Sequence, residues 1–292
     1  MARMGWFSAL VLSATALAAC QSNGGLSGPM TTSGQCWWGH TCFDVSKTAD
    51  RRVARIVLDY KGSEEPFTVR IRTDVSGMEG TWVERETFVL KDPHRVEILN
   101  VRARATGSWD WRWHFDLHPG AMPAAHDDNN LYRLPYRDGE TYEVIQGYGG
   151  DFSHMGDNFH SIDWAMPAGT EVLAARGGVV VAVRGDSNRK GQGWDNHIII
   201  RHDDGTYAWY LHLKYDGVTV ETGQIVQSGD LIGLSGDTGF SSRPHLHFQV
   251  SSLSPDPDVF YRSFPTQFFT SRGVVSQLQE GGRYTAEPLP SG

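Results

Sequence analysis

From Val53 to His118 the chain alternates apolar and polar residues in five short runs: Val53–Tyr60, Phe67–Thr73, Trp82–Leu90, Val96–Ala105 and Ser108–His118. Alternation with a period of two is the spacing of a strand with one buried face. The last run is the clearest. Trp109, Trp111, Trp113, Phe115 and Leu117 fall on one face, and Asp110, Arg112, His114, Asp116 and His118 fall on the other. The set predicts a small β-sandwich-like domain over residues 46–134. The tryptophan face reads as core rather than as a glycan platform, and the charged face with His114 and His118 reads as solvated rather than metal-binding. Residues 119–130 read as a loop, whose acidic end His126–Asn130 fits no calcium-loop spacing.

A second domain is expected over residues 135–271, and here the polar faces carry chemistry. In His245-Leu246-His247-Phe248-Gln249-Val250 both histidines and Gln249 share one face, while Leu246, Phe248 and Val250 supply a greasy reverse. In Thr206–Tyr215, His212 is expected on the face of Ala208 and Tyr210, opposite Trp209, Leu211 and Leu213. In Ser161-Ile162-Asp163-Trp164-Ala165 an acid stands between two apolar residues, a costly burial unless it is paired or metal-bound. Three strands that each present imidazole or carboxylate can furnish the nitrogen and oxygen donors that zinc prefers. His197 and His202 flank the strand around Ile198-Ile199-Ile200 and read as its caps. No His-Glu-x-x-His is present, which excludes a helix-borne zinc protease. The loop Gly236–Arg243 lacks the Gly-Lys-Ser/Thr ending of a phosphate cradle and reads as a hairpin loop bordering the groove. Beyond Arg272 the Gly-, Gln- and Pro-rich segment 272–292 is expected to be a flexible tail.

Charge and the amino terminus add a compartment. The 292 residues carry 26 Lys+Arg against 34 Asp+Glu, a formal charge of −8. That balance speaks against a nucleic-acid partner, which calls for a basic face. Residues 1–19 read as a signal peptide, a basic residue followed by a short apolar run and small residues. Leu17-Ala18-Ala19-Cys20 resembles the bacterial lipobox, which implies a lipidated Cys20 that tethers the chain to the membrane without spanning it. Gln21 after the cysteine implies sorting to the outer membrane, with the chain on the periplasmic face of the bacterial cell envelope. Residues 20–45 form the tether, in which Cys36 and Cys42 are close enough in an exported chain for a small disulfide loop.

Four stretches resemble the lysostaphin/LytM-type zinc endopeptidases in order and spacing: Gly169-Thr170-Glu171-Val172, Tyr210-Leu211-His212-Leu213, Gly229-Asp230-Leu231-Ile232-Gly233 and Pro244-His245-Leu246-His247-Phe248. The resemblance covers about residues 145–251 and implies an antiparallel β-sheet peptidase domain. It implies zinc (Zn2+) held by a histidine, by Asp163 and by His247, with His212 and His245 as the unliganded catalytic pair. The family's His-x-x-x-Asp is broken, because Phe159 stands four before Asp163. The first histidine is then His154 or His160. A strand offset of three puts His160 on the face opposite Asp163, whereas His154 lies in a loop able to fold back, so His154 is the expected ligand. The resemblance further implies hydrolysis of the peptide cross-links of bacterial peptidoglycan through a zinc-activated water, with the stem peptides as partner, His245 as base and Asn196 in support. The alternative is a catalytically silent member that binds and activates other cell-wall hydrolases. A carbohydrate-binding module leaves the His-x-His unexplained.

Overall fold

The computed structural model describes residues 29–37, 39–191 and 195–290. The expected signal peptide and Cys20 lie outside the described residues. Among those described there is no α-helix, only a 3-10 turn at Gly156–Asn158, and the rest of the regular structure is strand, almost all of it antiparallel. Among the described residues no helix is long and apolar enough to cross a membrane. The mostly β class expected from the alternation is the class observed. The chain divides into two compact units between Ala121 and Met122.

The first unit holds β1 (Pro29–Trp37), β2 (Thr41–Thr48), β3 (Val53–Tyr60), β4 (Phe67–Ser76), β5 (Met78–Trp82), β6 (Arg85–Leu90), β7 (His94–Ala103) and β8 (Asp110–Pro119). They form two sheets, β1-β2-β3-β7-β5 and β6-β4-β8. Phe43 of the larger sheet meets Trp113 and Phe115 of the smaller at ring distances of 4.9 and 4.5 Å. Cys36 and Cys42 pair directly across β1 and β2 and are joined by a disulfide.

Two expectations for this unit need correcting. The run Trp82–Leu90 is not one strand: Met78–Trp82 pairs with β7 and Arg85–Leu90 with β4, so the chain changes sheets at Val83–Glu84. Backbone bonds from Val83 N to Ile98 O and from Thr73 N to Glu84 O, each 2.9 Å, hold the corner. Strands that turn such corners belong to one alternating run in sequence, so periodicity does not reveal them. His118 is not on a solvated face either. It is fully buried, with Nδ1 donating to Pro119 O at 2.5 Å, and burial holds its pKa down at about 3. Its cross-strand partner Thr68 is buried as well, so the end of β8 is covered on both sides. His114 does sit among charges: its Nε2 meets Asp116 at 2.9 Å, and Asp116 also takes Arg70 and Arg72.

The second unit contains β9 (Leu131–Arg133), β10 (Thr141–Gln146), β11 (Ile162–Trp164), β12 (Glu171–Leu173), β13 (Gly178–Arg184), β14 (Asn196–Arg201), β15 (Tyr207–Val218), β16 (Ile225–Val226), β17 (Leu231–Ser235), β18 (Leu246–Leu253), β19 (Tyr261–Phe264), β20 (Gln267–Thr270), β21 (Gly273–Val275) and β22 (Arg283–Thr285). The main path runs β16-β13-β14-β15-β18-β11-β10-β22. One face of this sheet is the core. Ile198, Ile200, Tyr210, Phe248, Val250, Ile162 and Trp164 pack together there, nearly or wholly excluded from water. Residues 122–134 belong with this unit, because β9 pairs with β20 and buries Tyr132 and Leu134.

The segment after Arg272, expected to be a flexible tail, is part of the fold. β21 pairs with β20, β22 pairs with β10, and Leu278, Tyr284 and Ala286 enter the core. Its apolar residues are few and irregularly spaced, so burial here comes from tertiary contact and not from a local period.

Candidate metal centre

β10, β11, β18 and β15 lie side by side, and the face opposite the core gathers the ionisable side chains. Asp163 stands directly across from His247, with Gln146 on its other side. Ile162 and Trp164 turn to the core, as their alternation with Asp163 requires. After Gln146 the chain leaves the sheet and doubles back, so that His154 returns over the end of β11. The Gln146 side chain bonds Ser153, and His154 N donates to Gly150 O at 3.1 Å. Gly150 is required in this fold-back, since a Cβ there meets the Gln146 side chain at 2.4 Å.

His154 Nε2 lies 3.2 Å and His247 Nδ1 2.8 Å from the same carboxylate oxygen, Asp163 Oδ1. The donor atoms of these three buried residues lie within 4.8 Å of one another. His154 donates its Nδ1–H to Gly147 O at 2.8 Å, which leaves an Nε2 lone pair, buried and without a hydrogen bond, facing a carboxylate oxygen. Two lone pairs face each other favourably only with a proton or a cation between them. Ligands 2.0–2.1 Å from a tetrahedral zinc are about 3.3 Å apart, so the His154–Asp163 separation suits that ion, and the His247–Asp163 separation is somewhat shorter. Burial alone raises the Asp163 pKa, but the neighbouring His154 and His247 imidazoles hold it well below the usual carboxylate range. The residues present therefore fit zinc: two imidazoles, one ionised carboxylate, and a backbone carbonyl that fixes one imidazole's tautomer.

His160 lies elsewhere. Its Nδ1 donates to Ser263 O at 2.9 Å and its ring packs edge-on to Tyr148. His197 and His202 are also away from the three donors: His197 Nδ1 meets Asp195 Oδ2 at 3.1 Å, and His202 Nδ1 donates to Gly177 O at 2.9 Å. Burial alone raises Asp195, yet its bond from His197 and the charges of His197 and His212 bring it to about 2.

His212 reaches the site by a route that alternation misplaces. Tyr210 faces the core, so on a regular strand His212 follows it inward; Trp209 and Leu211 stand opposite Gln249 and His247. The structure breaks the period instead. His212 has φ +65°, a left-handed conformation, and the register between β14 and β15 slips at this point. The slip sends Leu213 into the core and turns His212 out beside Leu211. Three contacts hold the distortion. Thr238 Oγ1 donates to Leu213 O at 2.8 Å, Asn196 Nδ2 donates to the same oxygen at 3.3 Å, and Gly236 approaches so closely that a Cβ there meets Lys214 N at 2.4 Å. Asn196, which the resemblance puts in support of the site, is thus hydrogen-bonded at the distortion.

His212 donates Nδ1–H to Thr238 O, and His245 donates Nδ1–H to Arg243 O, both at 2.8 Å. Each ring is thereby fixed in the tautomer that presents Nε2 as an acceptor. The two rings lie 4.6 Å apart, and His245 Nε2 is 3.8 Å from Asp163 Oδ2. Burial is the main cause that lowers both pKa values; for His212 the neighbouring His247 adds to it, and for His245 Asp163 opposes it. Both are neutral bases at pH 7.

A cleft of about 160 Å³ opens on these groups. The loop Gly236–Arg243 borders it, contributing Phe240, Ser241, Ser242 and Arg243, and Phe152 closes the other side. The Phe152 and Phe240 rings stack across the mouth, 5.6 Å apart with planes 10° from parallel, although both are substantially exposed at 65% and 38%. Phe152, Thr238 and Arg243 were not singled out from sequence; each lies in an aperiodic loop, where no pattern marks a residue as facing a site.

Residues 158–257, a span that begins after His154, match the model of peptidase family M23. Lysostaphin of Staphylococcus simulans is 38% identical over 129 residues, covering 40% of this chain and 25% of the relative. Glycyl-glycine endopeptidase ALE-1 of Staphylococcus capitis is 36% identical over 130 residues, covering 42% and 34%. Peptidoglycan DD-endopeptidase ShyA of Vibrio cholerae is 42% identical over 88 residues, covering 30% and 19%. The match thus spans between 19% and 34% of the length of these relatives. Family model, relatives and the motifs around His212 and His247 agree on one region, and residues 158–257 are similar to the peptidase family M23 domain.

Proposed function

We propose that the chain is a zinc-dependent metalloendopeptidase that hydrolyses peptide cross-links of bacterial peptidoglycan. The observation that carries this reading is the buried donor set of His154, Asp163 and His247, flanked by two further imidazoles that are not needed as ligands. The names of two relatives, a peptidoglycan DD-endopeptidase and a glycyl-glycine endopeptidase, support the substrate class. On this reading His154, Asp163 and His247 hold the zinc. When bound, zinc polarises the scissile carbonyl and makes water acidic enough to be deprotonated near neutral pH.

The chain's own residues do the rest. His245, neutral and with Nε2 toward the cleft, takes the proton of the attacking water and returns it to the leaving amine. His212, its ring 4.6 Å from His245, lies where it can donate to the developing oxyanion once protonated or share the proton. Thr238 O and Arg243 O keep the two rings from rotating, so neither has to be ordered when substrate arrives. Phe152 and Phe240 stack together and narrow the mouth. Anchoring through Cys20 places this chemistry at the periplasmic face of the outer membrane, against the wall.

The test is incubation of zinc-loaded protein with purified peptidoglycan followed by mass analysis of the released muropeptides. Products split at a peptide bond are expected. Intact cross-links after exposure to metal-replete protein would falsify the enzyme and favour the silent activator of other hydrolases.

A further inference from the structure

We propose that Arg243 is a carboxylate anchor, and that the cleft selects peptides bearing a free carboxylate beside the scissile bond. This rests on the peptidase reading above and names the substrate chemistry of the same site.

Histidines aside, Asp163 and Arg243 are the only charged residues that line the cleft among those described. Asp163 is committed to His154 and His247. Arg243 is exposed, and its guanidinium has no ion pair or hydrogen bond with any described residue. The acid of its own loop is not available to it: Asp237 is engaged by Lys190 Nζ and accepts from Ser241 Oγ at 2.5 Å. A cation at the mouth of a cleft in a chain of charge −8 is therefore left without a counter-charge.

The backbone beneath it is fixed. Arg243 O accepts from His245 Nδ1 at 2.8 Å, and Pro244 restricts Arg243 to extended conformations. Two residues of extended chain span about 7 Å, so the guanidinium is carried within side-chain reach of the groove beside the proposed base. A planar guanidinium offers paired N–H donors in the geometry of a carboxylate, and it keeps its charge at every relevant pH. An uncharged glycine bridge leaves that fork unused. A stem peptide with a free carboxylate on a residue flanking the bond fills it, with its apolar portion against Phe240.

The test compares two probes: a cross-linked muropeptide dimer from Gram-negative sacculi, and the same dimer with its free carboxylates converted to amides. Zinc-loaded wild type is expected to cleave the free acid with kcat/KM about tenfold higher, mostly through KM. Arg243→Gln should bring the two dimers to the same kcat/KM, and Arg243→Lys should restore only part of the preference, since a point charge lacks the fork. Equal cleavage of both dimers by wild type overturns the anchor, as does an equal loss on both in Arg243→Gln. Calorimetric binding to His245→Ala separates this from the peptidase reading. Tighter binding of the free acid that is lost in the His245→Ala, Arg243→Gln double variant supports the anchor even where no cleavage occurs. Equal binding of both dimers overturns it whatever the wild type cleaves.

Discussion

Replacing His212 by alanine and by glycine isolates the backbone strain at the centre of the proposed mechanism. Both variants delete the same imidazole and leave Thr238 O without its donor, so they differ only by a Cβ at φ +65°. An L-residue in the left-handed region costs about 1–2 kcal/mol. Glycine escapes that cost but gives back about 0.5–1 kcal/mol because its unfolded chain is freer. Glycine should therefore be the more stable variant by about 1 kcal/mol, or about 2–4 °C in the transition of a unit of this size. This is the reverse of the order expected on a regular strand, where glycine loses to alanine. Calorimetric unfolding of the full chain with metal removed by chelator keeps ligand binding out of the comparison. Neither variant should release muropeptides. Alanine equal to or above glycine in stability would mean that the left-handed turn is absent or unstrained. Hydrolysis by either variant would remove His212 from the mechanism.

His154→Ala is expected to purify without stoichiometric zinc while His160→Ala keeps it, as read by elemental analysis; the opposite result moves the ligand to the half-buried ring on Ser263. His245→Ala should retain zinc and lose hydrolysis by at least about a hundredfold, the ordinary contribution of a general base. The neutral, buried His118 gives the first unit an acid sensitivity. Its folded pKa of about 3 lies below the unfolded value of about 6.5, so its share of stability is intact above 6.5 and declines as pH falls from there toward 3, by up to about 1.4 kcal/mol per pH unit. His118→Gln should make the first unit's melting temperature fall less steeply between pH 7 and pH 5; His40, lowered by burial to about 4, retains a slope of the same sign. Ending the chain after Arg272 removes β21, β22 and the buried Leu278 and Tyr284, so the second unit should no longer unfold cooperatively, whereas a free tail could be cut without effect.

What was legible in the sequence follows the reach of local periodicity. His245, His247 and Gln249 share a face because β18 is regular over its whole length and its reverse packs on Tyr210 and Trp164. Asp163 could be read the same way between Ile162 and Trp164. The failures occur where tertiary contact overrides the period. Val83 and Glu84 look like two more positions of an alternating run, yet bonds to Ile98 and Thr73 turn them into a corner between sheets. Leu278 and Tyr284 stand in a segment too polar to suggest a core, but they are drawn in by the pairing of β22 with Thr141–Glu143. His118 carries the polar label of its face and is buried by the partners at the end of its strand.

His212 shows why the site itself is only partly visible at the level of sequence. The period places it with Tyr210, and Tyr210 is core, so a strictly regular β15 points the imidazole at Phe248 and away from His245. One left-handed residue moves the ring across the sheet, and nothing in Tyr-Leu-His-Leu announces it, because a histidine, though commoner in that conformation than most residues, adopts it in only a small minority of cases. The restraints come from far along the chain: Asn196 and Thr238 bind Leu213 O, and Gly236 admits the approach of Lys214. The same Thr238 that stabilises the distorted backbone through its hydroxyl orients the His212 ring through its carbonyl. Conformation and tautomer thus both draw on one residue. Thr238→Val, which keeps the carbonyl and removes the hydroxyl, should loosen the turn while leaving the tautomer's acceptor in place; a lower kcat with zinc content unchanged is the expected result, and an unchanged kcat would show that Asn196 and Gly236 hold the turn without it.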